Sequence, residues 1–143
     1  MNKSDFAVII LTHGRHDRVY TIDSLRKSGY TGEIYLLCDD EDKQLDLYKE
    51  KYKDKVLVFS KKEYAGSFDK MDNFGNKACV VYARNAVWDF AKKLGLKYFI
   101  VCDDDYTKYD FRIDKNQCFK SNQIKNMDSV FSAYIDFMDK TDI

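Results

Sequence analysis

The sequence predicts an α/β protein built on a mainly parallel, doubly wound sheet. Four apolar segments of strand length alternate with segments of helical periodicity, and this alternation is typical of parallel strands joined by right-handed crossovers. The strand segments are almost continuously apolar, as expected when helices cover both faces of a sheet. Because 45% of the 143 residues are hydrophobic, the chain can bury a core, and we predict a single domain over residues 1–143.

Three strands and two helices are predicted in the first half of the chain. The predicted strands are Phe6–Leu11, Glu33–Cys38 and Val56–Phe59. After the first strand, Val19, Ile22 and Leu25 recur at helical spacing, and Gly29 follows where that helix would end. The segment Asp42–Tyr52 is polar with apolar residues on one face, which predicts a short amphipathic helix.

A loop, the longest helix and the fourth strand are predicted in the middle of the chain. Ser60–Gly75 has no clear period and is rich in glycine and polar residues, so we predict a loop with at most one turn of helix. Lys77–Leu94 carries an apolar stripe at helical spacing. Lys97–Cys102 is the next near-continuous apolar run and predicts the fourth strand.

A hairpin and a final helix are predicted after the fourth strand. Tyr109–Ile113 and Gln117–Lys120 would pair across a short polar turn. Asn126–Lys140 has the pattern of an amphipathic helix. The residues of this helix predicted to face inward are Val130, Tyr134, Phe137 and Met138.

Charge and cysteine content exclude several classes of protein. Basic and acidic residues both number 24, so the chain lacks the basic excess of a dedicated nucleic-acid-binding module, although a local patch remains compatible with a nucleic-acid substrate. None of the four cysteines forms a C-x-x-C pair, which argues against structural zinc. With no signal peptide and no apolar stretch near 18 residues, we expect a cytoplasmic protein without a membrane segment.

The segment Y-F-I-V-C-D-D-D-Y is the most informative motif. Its apolar residues run directly into Asp103, Asp104 and Asp105, which places three carboxylates at the carboxyl end of the fourth strand, where open α/β sheets bind ligands. Adjacent carboxylates repel one another unless a cation lies among them. Oxygen ligands favour Mg²⁺ or Mn²⁺, which usually bridge to substrate phosphates. The alternative is a strand that simply ends in a polar turn.

Polar residues also follow the first two strands. Thr12 and Arg15 follow the first strand, and Asp39 and Asp40 follow the second. Because parallel strands end at the same edge of a sheet, we expect these residues and the three acids to line one crevice. Arg15 would face a phosphate or a base, and Asp39 or Asp40 would accept hydrogen bonds from a base or ribose.

Other charged residues carry weaker signals. Arg84 is either a solvated charge on the long helix or the partner of an acid in the crevice. Lys70 and Lys77 flank a loop that would contact an anionic ligand, or else are part of an ordinary crossover connection. We expect His13 and His16 to line the crevice or its rim without a catalytic role.

Four motifs, taken in order, resemble the nucleotide-sugar half of GT-A fold glycosyltransferases, a Rossmann-like arrangement. They are F-A-V-I-I-L-T-H-G-R, L-L-C-D-D, A-R-N-A-V and Y-F-I-V-C-D-D-D-Y, the last of which matches the Asp-x-Asp (DXD) motif of that family. More narrowly, the chain resembles the TET-associated and phage glycosyltransferases that modify DNA, and a phage-encoded protein would lie in the host cytoplasm. The resemblance covers most of residues 6–114.

The resemblance implies a metal-dependent transferase. It implies a metal ion, Mn²⁺ or Mg²⁺, held by Asp105 with Asp103. The implied donor is a nucleotide sugar, with a uridine diphosphate sugar expected here. The implied acceptor is a hydroxyl group on a hydroxymethylated pyrimidine in DNA. Thr12 and Arg15 would border the nucleotide, and Asp39 would contact the base. The full set of residues implied at the nucleotide sugar is Thr12, Arg15, Asp39, Arg84, Asp103 and Asp104.

The resemblance supplies no catalytic base within this chain. We therefore expect a donor-binding half, truncated at its carboxyl end, that binds the donor with weak or absent transfer. One alternative is a non-catalytic fragment that binds a nucleotide or a partner protein. Another is a haloacid-dehalogenase-type phosphatase, because Asp103–Thr107 fits its D-x-D-x-T signature with Asp103 as nucleophile and Asp105 as general acid.

Overall fold

A four-stranded parallel sheet forms the centre of the protein. The computed structural model describes residues 5–66 and 80–141. Its central strands are β1 (Phe6–Leu11), β2 (Glu33–Asp39), β3 (Val56–Phe59) and β4 (Tyr98–Asp103). They lie in the order β3-β2-β1-β4, and each neighbouring pair is parallel. The predicted fold class is confirmed, and each of the four predicted strands of this sheet lies within one residue of its observed bounds.

Helices connect the strands and cover the sheet. They are α1 (Tyr20–Lys27), α2 (Leu45–Tyr52), α3 (Lys61–Tyr64), α4 (Val81–Lys93) and α5 (Met127–Thr141), with a 3₁₀ turn at Lys53–Lys55. Helix α2 begins three residues later than predicted, because the Asp42 side chain accepts a hydrogen bond from the Gln44 amide and forms a turn before the helix. The predicted start of the long helix and most of the predicted loop before it lie outside the described residues. No helix in the described ranges is both long and apolar enough to cross a membrane.

Both faces of the sheet are buried, which explains why its strands are almost continuously apolar. On one face, Val8 and Ile10 of β1 pack with residues of α1, α2 and α5. On the other face, Ile9 and Leu11 pack against α4. All six residues of β1 are buried, as expected for a central strand of a doubly wound sheet.

The hairpin is present but is shifted along the chain. Strands β5 (Asp110–Ile113) and β6 (Phe119–Gln123) form a separate two-stranded antiparallel sheet. The second strand begins two residues later than predicted, because Asp114 accepts hydrogen bonds from the amides of Asn116 and Cys118 and so extends the turn. Every residue of β6 is exposed.

The prediction of which face of α5 points inward was wrong for most of its residues. The buried residues are Met127, Phe131 and Ile135, whereas Val130 is only partly buried and Tyr134 is 63% exposed. Phe137 and Met138 are exposed as well. The helix carries two apolar stripes, and the buried one contains Phe131, whose ring packs against aromatic rings from β1 and from the turn before β2.

Candidate functional site

A cavity of about 380 Å³ opens at the carboxyl edge of the sheet. The chain passes from β1 through β2 to β3 on one side, and β4 then pairs with β1 on the other side. The connections therefore diverge between β1 and β4, and ligands of open α/β sheets bind at such switch points. The described lining residues are Leu11, Thr12, His13, Arg15, Leu37, Asp39, Phe59, Lys61, Val80, Ala83, Asp103 and Asp104.

Asp104 is the buried centre of a hydrogen-bond network beneath the cavity. Its two carboxylate oxygens accept hydrogen bonds from the Thr12 hydroxyl at 2.8 Å and from the Arg15 guanidinium at 2.8 Å. The Tyr48 hydroxyl bonds Thr12 Oγ1 and accepts a hydrogen bond from the Arg15 amide, each at 2.8 Å. Burial raises the pKa of Tyr48 to about 12, so the phenol stays protonated. The network fixes the loop after β1 against the end of β4.

Asp103 and Asp105 point away from this network. Strand β4 ends at Asp103, and Asp104 and Asp105 lie in the turn that follows it. Asp104 is turned inward in this segment, and its two neighbours are turned toward solvent. The Asp103 side chain is 47% exposed and lies 3.8 Å from the Arg84 guanidinium. The Asp105 side chain is 61% exposed and lies 3.8 Å from Arg15 Nη1. Two of the three acids can therefore reach a ligand in solvent.

The backbone of the acidic segment is fixed to the first turn of α1. The Thr21 hydroxyl donates to the Asp103 carbonyl at 2.6 Å and accepts a hydrogen bond from the Tyr106 amide at 2.9 Å. Thr21 is fully buried. The exposed carboxylates therefore project from a backbone that is held on both sides.

Asp39 forms a second buried centre at the opposite side of the cavity. His13 Nδ1 lies 2.6 Å from its Oδ2, and Lys61 Nζ lies 3.0 Å from its Oδ1. Burial raises the pKa of Asp39, but hydrogen bonds from Lys61 and His13 outweigh that effect, so the pKa lies below its ordinary value. The carboxylate is therefore ionised at neutral pH and holds both donors in place.

Asp42 fixes the loop that carries His13. Its Oδ2 accepts a hydrogen bond from the Gly14 amide at 2.8 Å, and Gly14 has a φ of +65°, which a glycine adopts without strain. Asp42 is buried. It therefore holds the loop after β1 and does not line the cavity.

The acids fit a cation that arrives together with a phosphate. Within the described ranges, no group of three or more His, Cys, Asp or Glu side chains could hold a metal ion. Asp103 and Asp105 would supply only part of a coordination shell, and Mg²⁺ commonly binds one or two carboxylates plus substrate phosphates and water. Of the described lining cations, Arg15 is paired with Asp104 and Lys61 with Asp39, so within the described residues a diphosphate would gain from the further positive charge of a cation.

The structure brings most of the predicted site residues together. Five of them line the cavity: Thr12, Arg15, Asp39, Asp103 and Asp104. The Arg84 side chain is 59% exposed, and its guanidinium lies 3.8 Å from the Asp103 carboxylate at the rim of the cavity. It is therefore both a largely solvated charge and a neighbour of an acid in the crevice. Asp40 is exposed, and its carboxylate accepts a hydrogen bond from the Lys61 amide. The ligand-binding roles of all these residues stay predictions, and Lys70 and Lys77 lie outside the described residues.

Sequence reasoning missed two residues of the site. Lys61 follows β3 by two positions, so the signal that identified Asp39 and Asp103, a polar residue just after a strand, was also present there. Tyr48 lies in the middle of α2. No local pattern distinguishes its hydroxyl from those of the other ten tyrosines.

The fold and the site define a Rossmann-like α/β protein with a polar ligand cavity at the carboxyl edge of a parallel sheet. The family model of the TET-associated glycosyltransferases matches residues 6–143. The chain therefore belongs to the TET-associated glycosyltransferase family and is a glycosyltransferase. The match supports the predicted transferase and gives no support to the phosphatase alternative. No match was found among curated proteins or among solved structures.

Proposed function

We propose that this glycosyltransferase binds a nucleotide-sugar donor across the carboxyl edge of its sheet, together with Mn²⁺ or Mg²⁺, and transfers the sugar to an acceptor hydroxyl. The observation that carries the proposal is that residues from the ends of β1, β2 and β4 line one cavity. A ligand that contacts all three strand ends must lie across the sheet edge. A nucleoside diphosphate sugar is an extended ligand that combines a flat base with a charged diphosphate.

The two ends of the cavity differ in chemistry, which supports an orientation for the donor. At β4, Asp103 lines the cavity and lies near Arg84, and Asp105 lies outside the described lining, beside Arg15. This setting suits a diphosphate with its cation. Toward β3, the wall includes apolar side chains, among them Phe59. The base would pack there because a flat apolar ring gains from contact with apolar walls.

In the proposed reaction, an acceptor hydroxyl attacks the anomeric carbon while the bond from that carbon to the diphosphate oxygen breaks. The hydroxyl proton passes to solvent water, and the nucleoside diphosphate departs with the bonding electrons. When bound, the divalent cation would neutralise the charge that accumulates on this leaving group. Arg15 is held beside Asp105 by its bond to Asp104, and Arg84 is placed beside Asp103. These guanidinium groups would orient the diphosphate and add positive charge.

The donor site can be tested by calorimetry with a uridine diphosphate sugar in the presence and absence of Mn²⁺. We expect binding to be at least tenfold tighter with Mn²⁺, because the carboxylates and the diphosphate complete one shell between them. Asp105→Asn should abolish this gain, whereas Asp136→Asn, which changes an exposed acid on α5, should leave it unchanged. A gain of normal size in Asp105→Asn would refute the metal assignment, and no binding of any nucleotide sugar would refute the donor site.

The proposed acceptor is the hydroxyl group of a hydroxymethylated pyrimidine in DNA, as membership of the TET-associated family suggests. It can be tested with a radiolabelled donor and two DNA duplexes that differ only in this hydroxymethyl group. We expect label in the modified duplex alone. Equal labelling of both duplexes, or labelling of a non-DNA acceptor only, would contradict this acceptor. The cytoplasmic location expected from the sequence stays a prediction.

A further inference from the structure

The Asp39 carboxylate is nearly saturated by donors from within the protein. Oδ1 is contacted by Lys61 Nζ at 3.0 Å and by the Glu41 amide at 3.1 Å, and Oδ2 lies 2.6 Å from His13 Nδ1. The residue is 4% exposed. A carboxylate in this state presents little acceptor capacity to a ligand, but it fixes two side chains that also line the cavity, Lys61 and His13.

We propose that Lys61 and His13, both held by Asp39, recognise the nucleobase of the donor and select a uracil-type base. This inference rests on the proposed function, because it concerns the base end of the same donor site. Asp39 is then a positioning residue, which acts on the ligand through its two partners. A uracil-type base here means one that presents a carbonyl oxygen next to a ring N–H, which uracil and guanine do and cytosine and adenine do not.

The selectivity follows from which atoms donate and which accept. Lysine carries three N–H donors and no acceptor, and the one partner of Lys61 Nζ in the described part of the chain is Asp39. Its remaining donors suit a carbonyl oxygen. A neutral His13 ring that donates Nδ1–H to Asp39 leaves Nε2 as an acceptor, which suits a ring N–H. Cytosine has no hydrogen at the matching ring nitrogen. That nitrogen and His13 Nε2 would then both be acceptors, with no donor between them.

The position of Lys61 favours the base over the phosphates. Lys61 bonds Asp39 at the end of β2, and β2 is separated from β4 by β1. Two strand spacings amount to about 10 Å, so Lys61 lies nearer to the β2 side of the cavity than to the β4 side, where the diphosphate is proposed to bind. Leu37 and Phe59, which also line this side, supply apolar surface for the faces of the base.

The inference is tested first on the unaltered protein, with Mn²⁺ present, by calorimetry with four ligands. These are uridine diphosphate, cytidine diphosphate, the N3-methyl derivative of uridine diphosphate, and inorganic pyrophosphate. We expect uridine diphosphate to bind about tenfold more tightly than the cytidine and N3-methyl compounds, the effect of losing one hydrogen bond. Equal binding of the three nucleotides would overturn the inference without any variant being needed.

A variant then assigns the effect to Lys61. Lys61→Met keeps an unbranched side chain, one atom shorter, and removes its donors. Lys62→Met changes the exposed neighbour as a matched control. We expect Lys61→Met to weaken uridine diphosphate about tenfold and to leave pyrophosphate unchanged, with no effect in the control. An equal loss for pyrophosphate would make Lys61 a phosphate ligand and overturn the inference.

Failure of base recognition and failure of the donor site give different results. If the unaltered protein binds neither uridine diphosphate nor pyrophosphate, the donor site itself is wrong. If it binds both but does not distinguish the bases, only the base-recognition inference is wrong. Should Lys61→Met fail to fold, Lys61→Arg keeps the positive charge beside Asp39 and moves the donors, and selective weakening of the nucleotides is expected there too. Unchanged selectivity in Lys61→Arg would count against the inference.

Discussion

Replacing Asp104 and Asp105 separately by alanine should give opposite effects on stability and on ligand binding. Asp104 is 7% exposed, and both of its oxygens are bonded within the protein. The side chain of Asp105 is 61% exposed, and its one ion pair with a described residue is the 3.8 Å contact to Arg15. Two adjacent aspartates of the same motif should therefore differ, one stabilising the fold and the other holding the ligand.

The expected loss of stability can be worked out from the contacts. The hydrogen bond from Thr12 to the buried Asp104 carboxylate is charge-assisted and contributes about 1.5–3 kcal/mol. The Arg15 pair adds at most about 1 kcal/mol, because solvent screens the half-exposed guanidinium. Thr12 keeps its bond to Tyr48. The free energy of unfolding should therefore fall by about 2–4 kcal/mol in Asp104→Ala, and by no more than about 0.5 kcal/mol in Asp105→Ala.

Urea unfolding followed by circular dichroism measures the free energy of unfolding of both variants, and thermal unfolding measures their melting temperatures. For a chain of this size, the melting temperature of Asp104→Ala should fall by about 6–12 °C. Asp105→Ala should melt like the unaltered protein and lose the Mn²⁺-dependent part of nucleotide binding. Equal stability of the two variants would refute the argument that the middle acid is structural. So would a destabilised Asp105→Ala variant that binds Mn²⁺ and nucleotide normally.

Two further predictions concern Asp39 and Gly29. The folded-state pKa of Asp39 is lowered, so its contribution to stability is present above its unfolded pKa of about 3.9 and is lost as the pH falls through the folded value. Asp39→Asn should therefore reduce the free energy of unfolding at pH 7 and flatten its decrease below pH 4, as measured by urea titrations. An unchanged pH profile would contradict this. Gly29 has a φ of +84°, and a Cβ there would overlap the Lys125 carbonyl oxygen. Gly29→Ala should therefore lower the free energy of unfolding by about 3 kcal/mol, against about 1 kcal/mol for Gly95→Ala, where φ is positive but the space around the Cβ is open. Equal losses would show that the overlap is relieved.

The strands could be predicted from the sequence because their signal is local. A strand buried on both faces must be apolar along its whole length, and the six residues of β1 satisfy this condition. The crevice was also predictable, because parallel strands bring their carboxyl ends to one edge. The position of Thr12, Asp39 and Asp103 at that edge follows from the strand bounds alone.

The side-chain partners could not be predicted, because they are distant in sequence. Thr12 bonds Tyr48, 36 positions away, and Asp104, 92 positions away. No pattern within a strand or helix shows that Asp104 is buried while its neighbours are exposed. The prediction of which face of α5 points inward was wrong for the same reason. The choice between its two apolar stripes depends on ring contacts of Phe131 with Phe6 and Tyr30.

The position of the metal tests the central claim most directly. Crystals grown with a uridine diphosphate sugar and Mn²⁺ would give an anomalous difference peak at the ion. We predict this peak within coordination distance of the Asp103 or Asp105 carboxylate and of the diphosphate, with the base on the side of Lys61 and Phe59. A peak elsewhere, or a nucleotide bound away from the carboxyl edge of the sheet, would contradict the account.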